Sequence, residues 1–348
     1  MAAIVINVAG NYDGKAIAKA QKELGKLGDV ADAQAKRFKA AADKMNAAGR
    51  GMTKYVTAPI AGIAAAGVKL AMDFDQSMNQ LQVAAGATGS EMQSLGELAK
   101  KMGADTVFSA KDAADAMLEL SKSGMTPAQI EGGSLAATMN LAAASGMGLA
   151  EAANVVGAGM NTFGLSAKDS ASIVDSLAGA ANASAADVGG LAQALQQVGQ
   201  QASASGFSVQ ETTAALAAFA DAGVQGSDAG TSLKTFLQRL VPSSKEAAKE
   251  MESLGLSFFD ANGNMLPLQQ IAGRLQKSMQ GLTQQQRLAA MQTMFGSDAT
   301  RAANILFNQG AKGIAKYAAA TNEQGNAQKM ADARMKGTAG AIEAMKGS

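Results

Sequence analysis

Histidine, cysteine and tryptophan are all missing from the 348 residues, and their joint absence removes most reactive chemistry at once. Histidine is the commonest general acid/base and metal ligand, and cysteine is the strongest neutral-pH nucleophile. Without cysteine there are also no disulfides and no thiolate metal sites, so the redox compartment is unconstrained. An enzyme is not expected. Aromatic residues are scarce at 4%, so a core has to be built from Ala, Leu, Met, Ile and Val. Each alanine removes far less apolar area from water than a leucine, at about 25 cal/mol per Å². Stability per residue is expected to be modest, and self-association would supplement it. A charge excess is lacking too. The 30 basic and 29 acidic residues leave +1, whereas a dedicated nucleic-acid binder carries a clear basic excess that neutralises phosphates. No specific nucleic-acid binding is expected.

A long apolar run is also missing. The most membrane-like stretch, Tyr55 to Val68, is uncharged and flanked by Lys54 and Lys69. It is shorter than the ~20 residues a spanning helix needs and contains Pro59, which favours a buried helix. The opening Met1 to Val8 has no positive n-region or cleavage site and reads as a short strand.

What is present is alanine, glycine, methionine and glutamine in helical runs punctuated by glycines. Charge is segregated along the chain: +10 and −5 over Met1 to Lys54, +3 and −4 over Tyr55 to Ala104, +3 and −12 over Asp105 to Leu233, and +14 and −8 from Lys234 to Ser348. Such segregation could join copies electrostatically or keep the central part off DNA, and it is equally compatible with solvated faces of unrelated helices.

A turn over Asn11–Gly14 precedes an amphipathic helix from Lys15 to Leu27, and a longer helix starts near Asp29. Within it Phe38, Ala41, Met45, Ala48, Met52 and Tyr55 alternate at intervals of three and four, which winds an apolar seam along one side. The seam requires a partner helix, either within the chain or in a second copy. From about Ser90 to Leu240 one grammar repeats: a polar cap, a short Ala-rich helix, then a glycine stop. Capping boxes are read at Ser90–Gln93, Thr126–Gln129 and Ser208–Glu211. Ser109, Ser166 and Ser184 each have an aspartate three positions on, at Asp112, Asp169 and Asp187. Gly103, Gly124, Gly146, Gly164, Gly206 and Gly223 read as left-handed stops. Apolar stripes such as Ala113/Met117/Leu120 and Leu191/Leu195/Val198 need neighbours to bury them.

One interruption is β. Leu256–Phe259 and Asn264–Leu266 flank Asp260–Gly263, and Asn-Gly is the strongest short hairpin signal. Pro267 opens a helix at its first turn, and helical patterns resume over Gln284–Gln292 and Asp298–Phe307. The fold class is therefore mainly α: an array of short Ala-rich helices with a longer N-terminal helix, one short N-terminal strand and one small β-hairpin. The chain divides into residues 1–28, a strand-turn-helix; 29–88, a long helical segment with the Pro-containing apolar stretch; 89–240, an acidic multi-helix core; and 241–348, the hairpin plus C-terminal helices. The final helix, over 341–348, lacks a finishing signal, which suggests continuation into a further extended region.

No chemical constellation survives inspection. The Asp260–Asn264 run resembles a calcium loop but has Met265 and Ile271 where glycine and a bidentate glutamate belong. Gly157-Ala158-Gly159 and Gly146-Met147-Gly148 lack the third glycine and preceding strand of a dinucleotide loop. The acid pairs Asp112/Asp115 and Asp73/Asp75 are better read as helix-end and solvent charges than as glycosidase acids. No catalytic, cofactor-binding or metal-binding residue is assigned.

Thr53-Lys54-Tyr55-Val56-Thr57-Ala58-Pro59-Ile60 and Asp73-Phe74-Asp75-Gln76-Ser77-Met78 form the start of a recognisable pattern. It runs on through Thr106 to Ala110, Ser123-Gly124-Met125, Phe163-Gly164-Leu165 and Ala222 to Thr231, then the Asn262-Gly263 turn, Pro267-Leu268 and Phe295-Gly296. In the order and spacing of these motifs, the chain resembles the conserved core region of phage tail tape measure proteins from about Gly49 onward. One departure is Gln196 to Gln201, which lacks a proline expected in many relatives and puts a bend between two helices in doubt.

The resemblance implies a virion structural protein without a cofactor, lying in the tail-tube lumen, templating tube length and leaving ahead of DNA during ejection. Implied partners are further copies of itself, the major tail tube protein, tail assembly chaperones, tail-tip or baseplate hub proteins and the host membrane on ejection, with assembly in the host cytoplasm. Even wholly helical, the chain would reach only about 520 Å at ~1.5 Å per residue, so a longer parent protein is expected. The Phe38-to-Tyr55 seam is the expected self-association or docking surface, and Ile60, Ile63 and Val68 the stretch expected to be buried or to contact membrane. A membrane-active ejected protein or pore-forming toxin is the alternative.

Overall fold

A computed structural model describes residues 71–335. The expected N-terminal strand, the helix from Lys15, the Phe38–Tyr55 seam, the Ile60/Ile63/Val68 stretch and the final segment over 341–348 lie outside the described residues. Contacts group the chain into Met1–Ala71 and Met72–Ser348, and the elements named here, from Met72 onward, belong to the second unit.

Helical residues 71–85 are followed by thirteen helices: α1 (Gly89–Asp105), α2 (Ala110–Lys122), the single turn α3 (Pro127–Gln129), α4 (Leu135–Ser145), α5 (Leu149–Phe163), α6 (Ser170–Ala183), α7 (Val188–Ala204), α8 (Val209–Asp221), α9 (Gly226–Arg239), α10 (Lys245–Ser253), α11 (Leu268–Met279), α12 (Gln284–Asn322) and α13 (Asn326–Met335). A π-helical bulge at Ile130–Ser134 joins α3 to α4. The mainly α architecture is as expected. Strand pairing among the described residues is limited to one antiparallel bridge, Phe259 to Met265, at the Asn-Gly turn. There Asp260 N donates to the Asn264 carbonyl at 2.8 Å, and Leu266 N to that of Phe258 at 2.9 Å.

Local chemistry sets the helix ends. Reciprocal capping boxes form at Thr126/Gln129 and Ser208/Glu211 as read; Ser109 with Asp112, expected as a cap with an aspartate three positions on, also closes a full box, and Ser166/Asp169 opens a short 3₁₀ turn before α6. Two caps fall elsewhere. α1 is capped by Thr88 with Glu91, not by Ser90, because the ionised carboxylate of Glu91 is a stronger acceptor for the N-cap amide than the Gln93 amide. Ser184 ends α6, donating to the Ala180 carbonyl at 2.8 Å; α7 is capped by Asp187, which accepts from Gly190 N at 2.8 Å. Pro267 is the N-cap of α11 itself, one position earlier than expected.

Five of the six glycine stops have positive φ. At Gly223, φ is 81°, and Val224 N returns to the Phe219 carbonyl at 2.9 Å, closing the end of α8. Gly103 is the exception. It lies inside α1, and a Cβ there would collide with the Ala110 backbone. Its function is close approach of α1 to the start of α2, and the helix ends two residues later at Asp105.

α8 is the centre of the unit: every residue from Thr212 to Ala220 is buried, as expected of a helix covered on all sides. α6, α7, α9 and α12 surround it. Outside this layer α5 bridges α2, α4 and α7, while α13 covers α4 and α6. The long α12 runs along α6, α8, α9, α10 and α11, bending at Gly296 and Gly310, whose φ values are 73° and 58°. The stripes Ala113/Met117/Leu120 and Leu191/Leu195/Val198 are buried. Phe295 anchors α12 between Phe236 of α9 at 5.3 Å and Phe258 of the turn region at 6.2 Å between ring centroids. The Gln196–Gln201 stretch lies within the continuous α7, so no bend occurs there.

Candidate interaction surface

Among the described residues, several of the motifs that carry the family resemblance are joints between helices. Thr106 Oγ1 donates to the Met102 carbonyl at 2.7 Å and accepts from Phe108 N at 3.2 Å, turning the chain between α1 and the Ser109 cap. Ser123 lies against Gly157 of α5, where a Cβ would come within 2.7 Å of the serine Cβ, and its carbonyl accepts from Asn161 Nδ2 at 2.8 Å. In Ala222 to Thr231, Gly223 ends one helix and Gly230 lets α9 press onto α7: a Cβ at Gly230 would collide with the Ala194 carbonyl oxygen. Alanine is already the smallest chiral residue, so glycine is required at that crossing.

Acidic side chains in the middle of the chain serve the same joints. Asp112 caps α2, while Asp115 accepts from Ser77 Oγ at 2.6 Å and from the Lys111 ammonium, which that contact holds above its usual pKa. The Asp112/Asp115 pair is thus engaged with structural donors. Asp260 accepts from Asn264 N and Asn262 N at 2.8 and 2.9 Å, and the Asn264 contacts hold its carboxyl below the usual range. Among the described residues, no group of three or more acidic, histidine or cysteine side chains is placed to hold a metal ion.

Two long-range acids were not legible from local patterns. Asp175 on α6 accepts from Gly325 N at 2.8 Å and Ala327 N at 3.0 Å, capping α13 from 150 residues away. Asp221 at the end of α8 accepts from Ala185 N at 2.7 Å and from the Tyr317 hydroxyl at 2.5 Å. Both are single acids without a capping box, and only the tertiary fold brings their donors to them.

Grooves open on the surface among the described residues. One, about 830 Å³, runs between helical residues 71–85 and α2 and includes the exposed Met72 and Val83. Two more, about 280 and 500 Å³, lie either side of the Asp175 clasp. None of the residues proposed from sequence as the docking seam or the apolar stretch falls among these, since all lie outside the described residues. No helix among the described residues is long and apolar enough to cross a membrane.

Closely spaced alanine helices, glycine crossings and acids engaged as caps define an all-α packing unit. The model of the phage-related minor tail protein family matches residues 96–296, and the chain belongs to that family, as a phage tail protein of the tape measure type. It is 34% identical over 301 residues to the tape measure protein of Pneumococcus phage Dp-1, covering 86% of this chain and 26% of that protein. It is 30% identical over 263 residues to the probable tape measure protein of Escherichia phage P2, covering 72% of this chain and 32% of that one. The chain thus spans about a quarter to a third of the length of these relatives. No solved structure matches it.

Proposed function

We propose that the chain forms the folded body of a tape measure protein that occupies the tail-tube lumen, templates tube polymerisation to a fixed length and leaves ahead of the DNA during ejection. The observation that carries this reading is the match to the Dp-1 protein over 86% of the chain. The fold supports reading this region as an assembly body. Its longest helix, the 39-residue α12, bends twice and lies along five others, so it does not provide a straight rise of ~1.5 Å per residue. Length is set by other sequence. The protein has no catalytic role in this reading: the acids that a hydrolase would need are helix caps and joints. Its partners are further copies of itself through the Phe38-to-Tyr55 seam, the major tail tube protein, tail assembly chaperones and tail-tip or baseplate hub proteins. Assembly takes place in the host cytoplasm, and Ile60, Ile63 and Val68 meet the host membrane on ejection.

Tail lengths measured by electron microscopy test the assignment. In-frame deletions in the sequence by which the parent protein exceeds this chain should shorten tails in proportion to the residues removed. Phe295→Ala, which costs about 3–5 kcal/mol as a core truncation, should lower the number of tails and leave the length of those that form unchanged. Uniformly shortened tails from Phe295→Ala, or full-length tails from every deletion, would contradict it. For the seam, Met45→Asp should weaken assembly far more than Lys36→Glu, and equal effects in light scattering would remove its special role.

A further inference from the structure

The inner face of α13 is narrow. Of residues 326–334, Asn326, Ala327 and Ala331 are buried and Met330 is half-buried, while the others stand in water. The helix lies on α4 and α6. Ala331 packs with Ala143, Ala144, Phe108 and Met330 in a cluster separate from the main core, and only Ala327, with Met330 at the edge, reaches the main core. Alanine covers little apolar area, so this face holds α13 weakly. At the opposite edge of the unit, helical residues 71–85 are anchored by large side chains instead, the fully buried Leu81 with Phe74 and Met78.

Polar contacts at the two ends of α13 supply the rest of its attachment. Both oxygens of Asp175 accept from its first amides, Gly325 N and Ala327 N. The Arg334 guanidinium lies against Gly146 at the C-terminal end of α4, where the helix dipole favours a cation. Asp175 and Gly325 line both flanking grooves, of about 280 and 500 Å³, so water reaches the clasp from either side. Hydrogen bonds open to water are exchanged for water at small net cost. The exposed Lys329–Glu323 pair across the turn adds little.

The chain just before the turn is held firmly. Thr321 is buried and donates to the Gln210 carbonyl of α8 at 3.1 Å, and Tyr317 is tied to Asp221. A Cβ at Gly179 of α6 would collide with the Ala320 carbonyl oxygen, so that glycine seats the end of α12 against α6. Asn326 Nδ2, bonded to the Ala320 and Glu323 carbonyls at 2.9 and 3.1 Å, pins the pivot. Between the fixed end of α12 and the lightly held α13 stands Gly325, with φ at 79°, whose backbone turns freely once the clasp lets go.

We infer that α13 is a strap. It swings off α4 and α6 in one piece about Gly325, baring Ala143 and Ala144, while the rest of the unit stays folded as in other local openings. Drawn out of the tail from its C-terminal side, such a chain gives way first at the strap, and the Asp175 clasp sets the threshold. That use rests on the ejection reading above. The opening itself is a property of the isolated chain, so either can fail while the other stands.

The chain has no cysteine, so single introduced thiols report the opening in the full chain under native conditions. With an aromatic disulfide reagent in excess, the thiol of Ala144→Cys, beneath α13, should react about a hundredfold or more faster than that of Ser232→Cys in α9. Its rate should change little in dilute urea, because a local opening exposes little surface. Ala143→Cys, on the same face, should behave like Ala144→Cys. Adding Asp175→Ala should speed both α4 reporters by about tenfold or more and leave Ser232→Cys unaffected, with Asp175→Asn in between. Trypsin tests the strap without a reporter. Cleavage after Lys329, within α13, should rise by a similar factor in Asp175→Ala, and cleavage after Lys234 in α9 should not. Equal reactivity at positions 144 and 232, an Asp175→Ala effect of the same size at both, or cleavage after Lys329 indifferent to Asp175→Ala would overturn the inference.

Discussion

The Tyr317 hydroxyl donates to Asp221 Oδ2 at 2.5 Å across 96 residues of chain, while Oδ1 of the same carboxylate accepts from Ala185 N. One side chain at the end of α8 thus ties α12 to the loop between α6 and α7. Burial, reinforced by this carboxylate, pushes the Tyr317 phenol from 10 up to about 12.

A stability change at high pH follows from that shift. The folded state favours the neutral phenol, so its contribution is fully present below the unfolded pKa of 10 and is lost as pH rises toward about 12. In a chain carrying Tyr12→Phe and Tyr55→Phe, phenolate absorbance should report a midpoint well above 10 that Asp221→Asn lowers partway, since burial remains. A midpoint at 10 before that substitution would contradict the contact.

Two glycines separate steric need from backbone need. Gly230→Ala adds a methyl group that has to displace the Ala194 carbonyl of the facing helix. The cost, about 1–3 kcal/mol for overpacking, exceeds the ~1 kcal/mol gained in helix propensity. Gly164→Ala meets no atom within 4 Å but must hold φ at 61°, costing about 1–2 kcal/mol in backbone strain alone. Thermal unfolding should show both losses, whereas only Gly230→Ala should be partly rescued by shrinking its neighbours in the α7–α9 crossing.

Release of α13 by Asp175→Ala is the third expectation. The helix buries little beyond Ala327 and Ala331, so the two amide bonds to Asp175 are a large part of its attachment. Hydrogen exchange over residues 326–335 should rise steeply while α8 stays protected. Equal exchange in both proteins would mean that the clasp contributes nothing.

Much of this organisation was legible because its causes are local. Ser109 with Asp112, Thr126 with Gln129 and Ser208 with Glu211 mark helix starts from within four residues, and Gly164 and Gly223 mark ends through φ alone. Where two local solutions compete, the reading slipped: Thr88 outcompetes Ser90 because its partner Glu91 is charged, and Asp187 takes the cap expected of Ser184. Gly103 was misread for a different reason, since its purpose is a neighbour it does not meet in sequence. The Asn262-Gly263 turn was correct, yet its flanks are held by the core through Phe258 and Leu266 and pair at one bridge only. Asp175 and Asp221 gave no signal at all, because their donors lie 150 and 96 residues away. Thr106 to Ala110, Ser123-Gly124-Met125 and Ala222 to Thr231, three of the family motifs, are joints of this kind.

Protease treatment of purified tails, followed by mass spectrometry, is the most direct test of the central claim that this chain is an internal tail component. Peptides from residues 72–335 should be present and protected in intact tails, and should be lost from the particle once ejection is triggered. Peptides missing from tails, cleaved while the tails are intact, or retained unchanged after ejection would contradict it.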